Sequence, residues 1–160
     1  MLVYFAGPLF SVGERQFNEQ LTHKIEALGY EVFLPQRDGA ERGAPPYDTM
    51  TGEEWSKAVF QLDAERVFAA DVLLFMLDGR VPDEGACVEL GIAWSQKTLQ
   101  QPRKLLIGLH TDRRGAFPGT KLNAMIQGAL EYVAPDEQTL LTALKHYQER
   151  GSLPDTASDG

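Results

Sequence analysis

Short apolar runs alternate with amphipathic stretches along most of the chain. Five brief runs rich in aliphatic and aromatic residues predict strands, at residues 2–5, 30–34, 72–77, 104–109 and 132–133. Between them, apolar residues recur every three or four positions and predict helices, at about residues 11–28, 55–69, 85–96, 123–130 and 136–150. Strands that alternate with helices favour a parallel sheet with helices on both faces. We therefore expect a three-layer α/β domain with a five-stranded parallel sheet.

One long segment interrupts this alternation. Residues Pro35–Gly52 are rich in proline and glycine and show little periodicity, so we expect a long loop, of a kind that is often functional in compact domains. The first and last helices carry clearer end signals. Ser11 followed by Glu14 has the spacing of a capping box, and Gly29 and Gly151 stand where these two helices are expected to end.

Length and charge limit the classes of protein to consider. The 160 residues are enough for one core, and we expect a single domain over 1–150 with a flexible tail over 151–160. No apolar run approaches the roughly 20 residues of a membrane helix, and no charged leader follows Met1, so we expect neither membrane insertion nor export. The net charge of −8 and the lack of a basic stripe oppose binding to a nucleic-acid polymer.

The cysteine and histidine content points to a reducing compartment and to chemistry without a metal. Cys87 is the only cysteine, so no internal disulfide can form, and the cytoplasm is the expected location. His23, His110 and His146 are too scattered along the chain to indicate a metal site.

The predicted architecture also indicates where a ligand would bind. In open α/β sheets, ligands lie beyond the carboxyl ends of the strands. Three segments follow predicted strands in this way, namely Gly7–Phe10, Asp78–Gly85 and His110–Asn123. We expect the functional side chains to gather on or beside these segments.

Glu89 is the most informative candidate for a functional residue. It is the only charged residue between Gly85 and Trp94, in a helix that is otherwise apolar on every face and is therefore predicted to be buried. A buried carboxylate is costly unless something there requires it, and the nearby helix N-terminus favours its ionised form. Glu89 is thus a candidate nucleophile or base. The alternative is a glutamate held by a structural hydrogen bond or lying at a solvent edge.

Three further residues have ordinary structural interpretations when each is taken alone. Asp83 stands at the turn into the Glu89 helix and suits the role of an N-cap. Asp63 borders the apolar stripe of the preceding helix and resembles a solvated surface acid. Tyr4 lies inside an apolar strand, where a core aromatic is common, although its buried hydroxyl would need a partner such as a carboxylate.

Taken in order, these residues resemble nucleoside 2-deoxyribosyltransferases. The resemblance rests on the sequence YFAGPLF at residues 4–10, on Asp63, on Asp83 and Glu89 at the entry to a helix, and on LNAM at residues 122–125, and it covers about residues 2–130. It implies a flavodoxin-like fold with a five-stranded sheet. It also implies transfer of 2-deoxyribose from a deoxynucleoside to a free purine or pyrimidine base without a cofactor, by a retaining ping-pong reaction through a covalent intermediate.

The resemblance also implies a role for each matching residue. Glu89 would be the nucleophile, Tyr4 would orient and tune it, and Asp63 would protonate the departing base. The positions implied to bind substrate are Asp83 at the sugar hydroxyl, Asn123 with Met125 from a neighbouring subunit, and Gly7 and Phe10 after the first strand. Phe10 and the Pro35–Gly52 loop would stack on and select the base. Shared sites imply a homodimer or homohexamer.

Two other functions remain open. A deoxynucleoside 5′-monophosphate N-glycosidase would let water intercept the intermediate, but it must bind a phosphate, and the carboxylate of Asp83 would repel a dianion. A non-catalytic nucleotide-sensing module on the same fold is the third possibility, because a fold does not fix an activity. The joint presence of Tyr4, Asp63 and Glu89 speaks against it.

Overall fold

The computed structural model describes residues 1–112 and 122–154. The five strands run over β1 Leu2–Ala6, β2 Glu31–Phe33, β3 Val72–Met76, β4 Leu105–Leu109 and β5 Tyr132–Ala134. The helices run over α1 Val12–Ala27, α2 Pro35–Asp38, α3 Gly52–Ala69, α4 Glu84–Leu99, α5 Ala124–Ala129 and α6 Glu137–Arg150. The predicted alternation of strands and helices is confirmed, with element ends that differ by a few residues.

All five strands form one parallel sheet in the order β2-β1-β3-β4-β5. This is the strand order of flavodoxin-like folds. The chain leaves β1 towards β2 on one side and later returns to place β3 on the other side. The predicted three-layer α/β architecture is therefore confirmed, and the point where the strand order reverses lies between β1 and β3.

Each face of the sheet is covered by its own hydrophobic core. On one face, apolar side chains of α1 and α6 pack on alternate strand residues that include Val3 and Phe5. On the other face, α3, α4 and α5 pack on the intervening residues, which include Tyr4. Because successive strand residues point to opposite faces, Tyr4 lies on the same side of the sheet as α3 and α4.

The predicted helix ends are confirmed where a cap signal is present. Ser11 and Glu14 form a reciprocal capping box at the start of α1. Gly151 ends α6 with a φ of 70°, a left-handed conformation that glycine adopts without strain.

The predicted long loop over residues 35–52 is partly wrong. A short helix, α2, begins directly at Pro35, a residue that suits the first helical turn because it needs no amide donor there. At the other end of the segment, Thr51 and Glu54 form a second capping box, so α3 begins at Gly52 rather than near Trp55. The irregular part is thus shorter than predicted. Only residues 151–154 of the predicted tail belong to the described part of the chain, and residues 155–160 lie outside it.

The prediction that the Glu89 helix is buried on every face is wrong for the single chain. The face of α4 that carries Ala86, Leu90 and Ala93 packs against the sheet. The opposite face is uncovered, and Val88 and Leu99 are 57% and 79% exposed. The helix is apolar all round, yet among residues 1–112 and 122–154 the packing partners cover only part of its surface.

Candidate functional site

The candidate site lies at the carboxyl ends of β1 and β3, beside the point where the strand order reverses. Gly7 follows β1 there and allows the two strand ends to approach closely. A Cβ atom at this position would lie 2.7 Å from the Cβ atom of Met76, so a side chain would force the strands apart. Gly7 therefore keeps the ends of the two strands close together, and its role in substrate binding stays a prediction.

Tyr4 and Glu89 meet at the base of the crevice beside these strand ends. The Tyr4 side chain is fully buried, and its hydroxyl donates a hydrogen bond of 2.7 Å to Oε1 of Glu89. Among the residues that the structure describes, no hydrogen bond engages Oε2, the second carboxylate oxygen. Glu89 lies in the second turn of α4, where the field of the helix N-terminus is weaker than in the first turn. The Tyr4 hydroxyl is therefore the main group that holds the Glu89 carboxylate in place.

Asp63 reaches the same hydroxyl from α3. It is partly buried and lies next to the Tyr4 hydroxyl, so the phenol, whose proton is donated to Glu89, has a second carboxyl group beside it. The interpretation of Asp63 as a solvated surface acid is wrong, because α3 turns this residue towards the sheet. Burial, followed by the negative charges of Glu89 and Asp63, raises the pKa of Tyr4 far above its ordinary value, so the phenol keeps its proton.

Glu89 and Asp63 both hold protons more tightly than ordinary carboxyl groups. Burial raises the pKa of Glu89 to about 7; the hydrogen bond from Tyr4 opposes this, and the charges of Asp63 and Asp83 add to it. Burial also raises the pKa of Asp63 to about 6, and the adjacent Tyr4 hydroxyl opposes this increase. Two carboxyl groups with these pKa values hold about one proton between them from about pH 6 to pH 7.

Asp83 caps the helix that carries Glu89. Its Oδ1 atom accepts a hydrogen bond of 2.9 Å from the backbone amide of Ala86, as the N-cap interpretation predicts. The residue is only partly buried, and its charge contributes to the raised pKa of Glu89. Asp83 therefore combines a structural role with a position at the edge of the crevice.

The remaining predicted substrate-binding residues are not joined to this cluster within the chain. Asn123 is exposed and caps α5, with its Oδ1 atom 2.8 Å from the backbone amide of Met125. Met125 is 82% exposed, and Phe10 is 80% exposed at the start of the turn into α1. In the described part of the chain, no hydrogen bond links Asn123 to Tyr4, Asp63 or Glu89.

Two aromatic contacts at the site were not predicted from the sequence. Phe33 is the register partner of Tyr4 on β2, and the two rings stack with centroids 5.6 Å apart. The guanidinium of Arg66, on α3, lies over the Phe33 ring, 5.4 Å from its centroid. The sequence shows Phe33 only as a hydrophobic strand residue, which does not reveal that its ring stacks on Tyr4. The spacing of Arg66, one helical turn after Asp63, is the signal that places it on the same side of α3. The stack fixes the ring of Tyr4 and hence the direction of its hydroxyl.

Residues 1–112 and 122–154 carry neither a membrane-spanning helix nor a metal cluster. No helix there is long and apolar enough to cross a membrane. No group of three or more histidine, cysteine, aspartate or glutamate side chains there is arranged to hold a metal ion.

The fold and the crevice define a flavodoxin-like α/β protein with a carboxylate pair and a tyrosine at its switch point. The family model described as nucleoside 2-deoxyribosyltransferase matches residues 3–128, a range that includes Tyr4, Asp63, Glu89 and Asn123. The chain belongs to this family. A comparison with curated proteins gave no match.

Solved structures share the same fold. A conserved protein from Enterococcus faecalis V583 has a TM-score of 0.76 and 26% identity, over 91% of this chain and 98% of its own. A 2-deoxyribosyltransferase from Bacillus psychrosaccharolyticus has a TM-score of 0.70 and 21% identity, over 88% and 90%. A CMP N-glycosidase from Clostridium botulinum has a TM-score of 0.54 and 19% identity, over 92% and 99%.

Proposed function

We propose that this protein is a nucleoside 2-deoxyribosyltransferase that moves 2-deoxyribose from a deoxynucleoside to a free purine or pyrimidine base. The observation that carries the proposal is the hydrogen bond from the Tyr4 hydroxyl to Glu89 beside a partly buried Asp63. Cleavage of an N-glycosidic bond develops positive charge at C1′ and negative charge on the base. A fixed carboxylate and a nearby carboxylic acid meet these two needs.

In the first half-reaction, Glu89 attacks C1′ through the oxygen that Tyr4 leaves free. The electron pair of the C1′–N bond passes to the departing base, which takes the proton of Asp63. The product is a deoxyribosyl ester of Glu89 and an ionised Asp63. An incoming base then attacks C1′ from the face that the first base left, gives its proton to Asp63 and releases the Glu89 carboxylate. Two inversions give net retention, and no cofactor takes part.

The shared proton must reside on Asp63 for this reaction to begin. In the free enzyme the higher pKa of Glu89, which already includes the effect of the hydrogen bond from Tyr4, favours the proton on Glu89 instead. The short hydrogen bond from Tyr4 favours the charge on Glu89, because a phenol donates more strongly to a carboxylate than to a neutral acid. A bound base with a nitrogen acceptor would further favour the proton on Asp63. Tyr4 and the bound base together therefore favour the productive one of the two protonation states.

We further propose that the active unit is at least a dimer whose sites are shared. The uncovered face of α4 continues into α5, and the groove between them has a volume of about 400 Å³ and an apolar lining that includes Trp94 and Met125. Exposed apolar surface of this extent is typical of an interface. Asn123 directly precedes Ala124 of this groove and has no hydrogen bond to its own Glu89 among the described residues, which suits a second copy that receives Asn123 in its sugar site. A single free thiol, Cys87, is in keeping with a cytoplasmic location.

One observation supports a nucleotide hydrolase as the second candidate function. The structural neighbour from Clostridium botulinum is described as a CMP N-glycosidase, an enzyme named for a phosphorylated substrate. A hydrolase of deoxynucleoside monophosphates on this fold would bind a phosphorylated substrate, and in its second step water would replace the incoming base. The carboxylate of Asp83 at the edge of the crevice opposes a phosphate dianion there.

One assay separates these functions. The purified protein is incubated with thymidine and adenine, and the products are separated by chromatography. Formation of deoxyadenosine with free thymine supports the transferase. Free thymine without deoxyadenosine would indicate a hydrolase, and the absence of any reaction with thymidine or with thymidine monophosphate would indicate a non-catalytic module.

A further inference from the structure

Asp78 is a carboxylate at the carboxyl edge of the sheet that the proposed chemistry does not use. It stands two residues beyond β3, on the loop that leads to Asp83. Its Oδ1 atom accepts hydrogen bonds from the backbone amides of Thr111, at 2.6 Å, and Asp112, at 2.9 Å. Its Oδ2 atom accepts a third from the Thr111 hydroxyl. One side chain thus joins the loop after β3 to the segment after β4.

These bonds begin where the sheet ends. The last backbone bond between β3 and β4 runs from the amide of Leu77 to the carbonyl of Leu109, at 2.9 Å. Directly beyond it, Asp78 takes the place of a backbone acceptor for two consecutive amides. Hydrogen bonds to an ionised carboxylate are stronger than those between neutral groups. Asp78 therefore continues the connection between the two strands into the loops.

The backbone next to Asp78 turns sharply towards the site. Gly79 has a φ of 134°, a conformation that residues with a side chain rarely adopt, and the chain reaches the α4 cap at Asp83 four residues later. The direction of this short loop is set at one end by the Asp78 bonds and at the other by the Asp83 cap. The same Asp78 side chain also holds the segment after β4, at Thr111 and Asp112.

We propose that Asp78 is a positioning residue that sets the rim of the sugar site by holding the Asp83 loop against the segment that follows β4. The inference rests on the proposed function, in which Asp83 binds a sugar hydroxyl. With both oxygens engaged by Thr111 and Asp112, Asp78 acts on the substrate only through the loop that it holds. Its loss is expected to weaken nucleoside binding more than the chemical step, because Tyr4, Asp63 and Glu89 lie within β1, α3 and α4 and not on the loop itself.

The test compares kcat and KM for thymidine, with saturating adenine, in matched variants of the full chain. Asp78→Ala removes all three bonds and is expected to raise KM by about fivefold or more while kcat changes by less than about threefold. Asp78→Asn is expected to restore KM, because its amide oxygen can accept from both backbone amides and its NH₂ group can donate to the Thr111 hydroxyl. Thr111→Val removes a single bond and should give a smaller rise.

The matched control is Asp71→Ala. Asp71 also binds a backbone amide, that of Leu2 at 2.7 Å, but at the opposite end of β3. This variant tests for general loss of stability and is expected to keep the wild-type KM. Thermal unfolding of each variant verifies that it is folded, and Thr111→Val carries the test if Asp78→Ala does not fold.

Three results would overturn the inference. These are a wild-type KM in Asp78→Ala and Thr111→Val, an Asp78→Asn enzyme as impaired as Asp78→Ala, or an equal rise of KM in Asp71→Ala. An active wild-type enzyme with any of these results leaves the proposed function intact and removes only the role of Asp78. A wild-type protein that neither transfers deoxyribose nor releases base would remove both.

Discussion

The Tyr4 hydroxyl lies 2.7 Å from Oε1 of Glu89 and joins the first strand to a helix that begins eighty residues later in the chain. The phenol keeps its proton because burial and two neighbouring carboxyl groups raise its pKa. It therefore acts as a fixed donor throughout the reaction that we propose. The same hydrogen bond therefore stabilises the Glu89 carboxylate before it attacks C1′ and again when it is released.

Replacement of Glu89 should abolish the reaction without unfolding the protein. Glu89→Ala removes the nucleophile, and we expect kcat to fall by at least about a thousandfold. Glu89→Gln keeps the acceptor for Tyr4 and should be equally inactive, which separates the loss of the nucleophile from the loss of packing. Steady-state transfer assays with circular dichroism as a folding control measure both effects. A 2-fluoro-deoxyribosyl nucleoside should leave an adduct on the Glu89 peptide, and an adduct on a different residue would refute the assignment.

The pH dependence of kcat/KM should be bell-shaped. The productive state needs Glu89 ionised and Asp63 protonated, and the pKa values of about 7 and about 6 describe a pair that holds one proton in that interval. Activity is expected to be highest between about pH 6 and pH 7 and to fall on both sides. Asp63→Asn should abolish the alkaline limb, because no acid remains to ionise. A flat profile from pH 5 to pH 9 in the wild-type enzyme would contradict the shared-proton model.

Ionisation of Glu89 should reduce the free energy of unfolding at alkaline pH. The folded-state pKa of Glu89 is raised, so this group favours the folded state below its ordinary value of 4.5 and loses that contribution as the pH rises through about 7. At pH 8, Glu89→Gln should therefore unfold at least about 2–4 °C above the wild type, which corresponds to at least about 1 kcal/mol. At pH 4 the difference should disappear. Glu65→Gln, at an exposed position of α3, serves as the control, and an equal gain there would show that the effect is not local to the crevice.

Asp83 should discriminate against phosphorylated substrates. We expect a higher kcat/KM for thymidine than for thymidine monophosphate, because the carboxylate repels a dianion at the edge of the crevice. Asp83→Ser keeps a residue suited to the N-cap of α4 and removes the charge, and it should narrow the ratio by about fivefold or more. Asp136→Ser, at the cap of α6, is the matched control and should leave the ratio unchanged. An unchanged ratio in Asp83→Ser would show that a different group sets the discrimination.

Mixed oligomers should recover activity if sites are shared between subunits. Glu89→Ala and Asn123→Ala homo-oligomers are each expected to be inactive or strongly impaired. When they are dissociated and reassembled together, some sites receive Glu89 from one chain and Asn123 from the other. Transfer activity should then rise to about a quarter of the wild-type value for a dimer with random exchange. Verified subunit exchange without recovery, or an active monomer in sedimentation, would rule out the shared site.

The sequence by itself determined the elements and their arrangement in layers. Apolar periodicity and caps such as Ser11 depend on residues that are near neighbours in the chain, so they can be read without the fold. The alternation of strands and helices then restricts the topology, because crossovers between parallel strands have a preferred hand. The family motifs, centred on Glu89, likewise occur in short continuous stretches.

The tertiary structure alone decided which side chains meet and which surfaces stay uncovered. Asp63 had the pattern of a solvated acid until the packing of α3 brought it to the Tyr4 hydroxyl, and its raised pKa depends on that burial. Neither the exposed side of α4 nor the bonds of Asp78 to Thr111 could be predicted from the sequence, since both depend on elements that are distant in the chain. Contacts of this kind depend on the relative position of whole strands and helices, whereas hydrophobic periodicity reports only the face that a single element turns to the core.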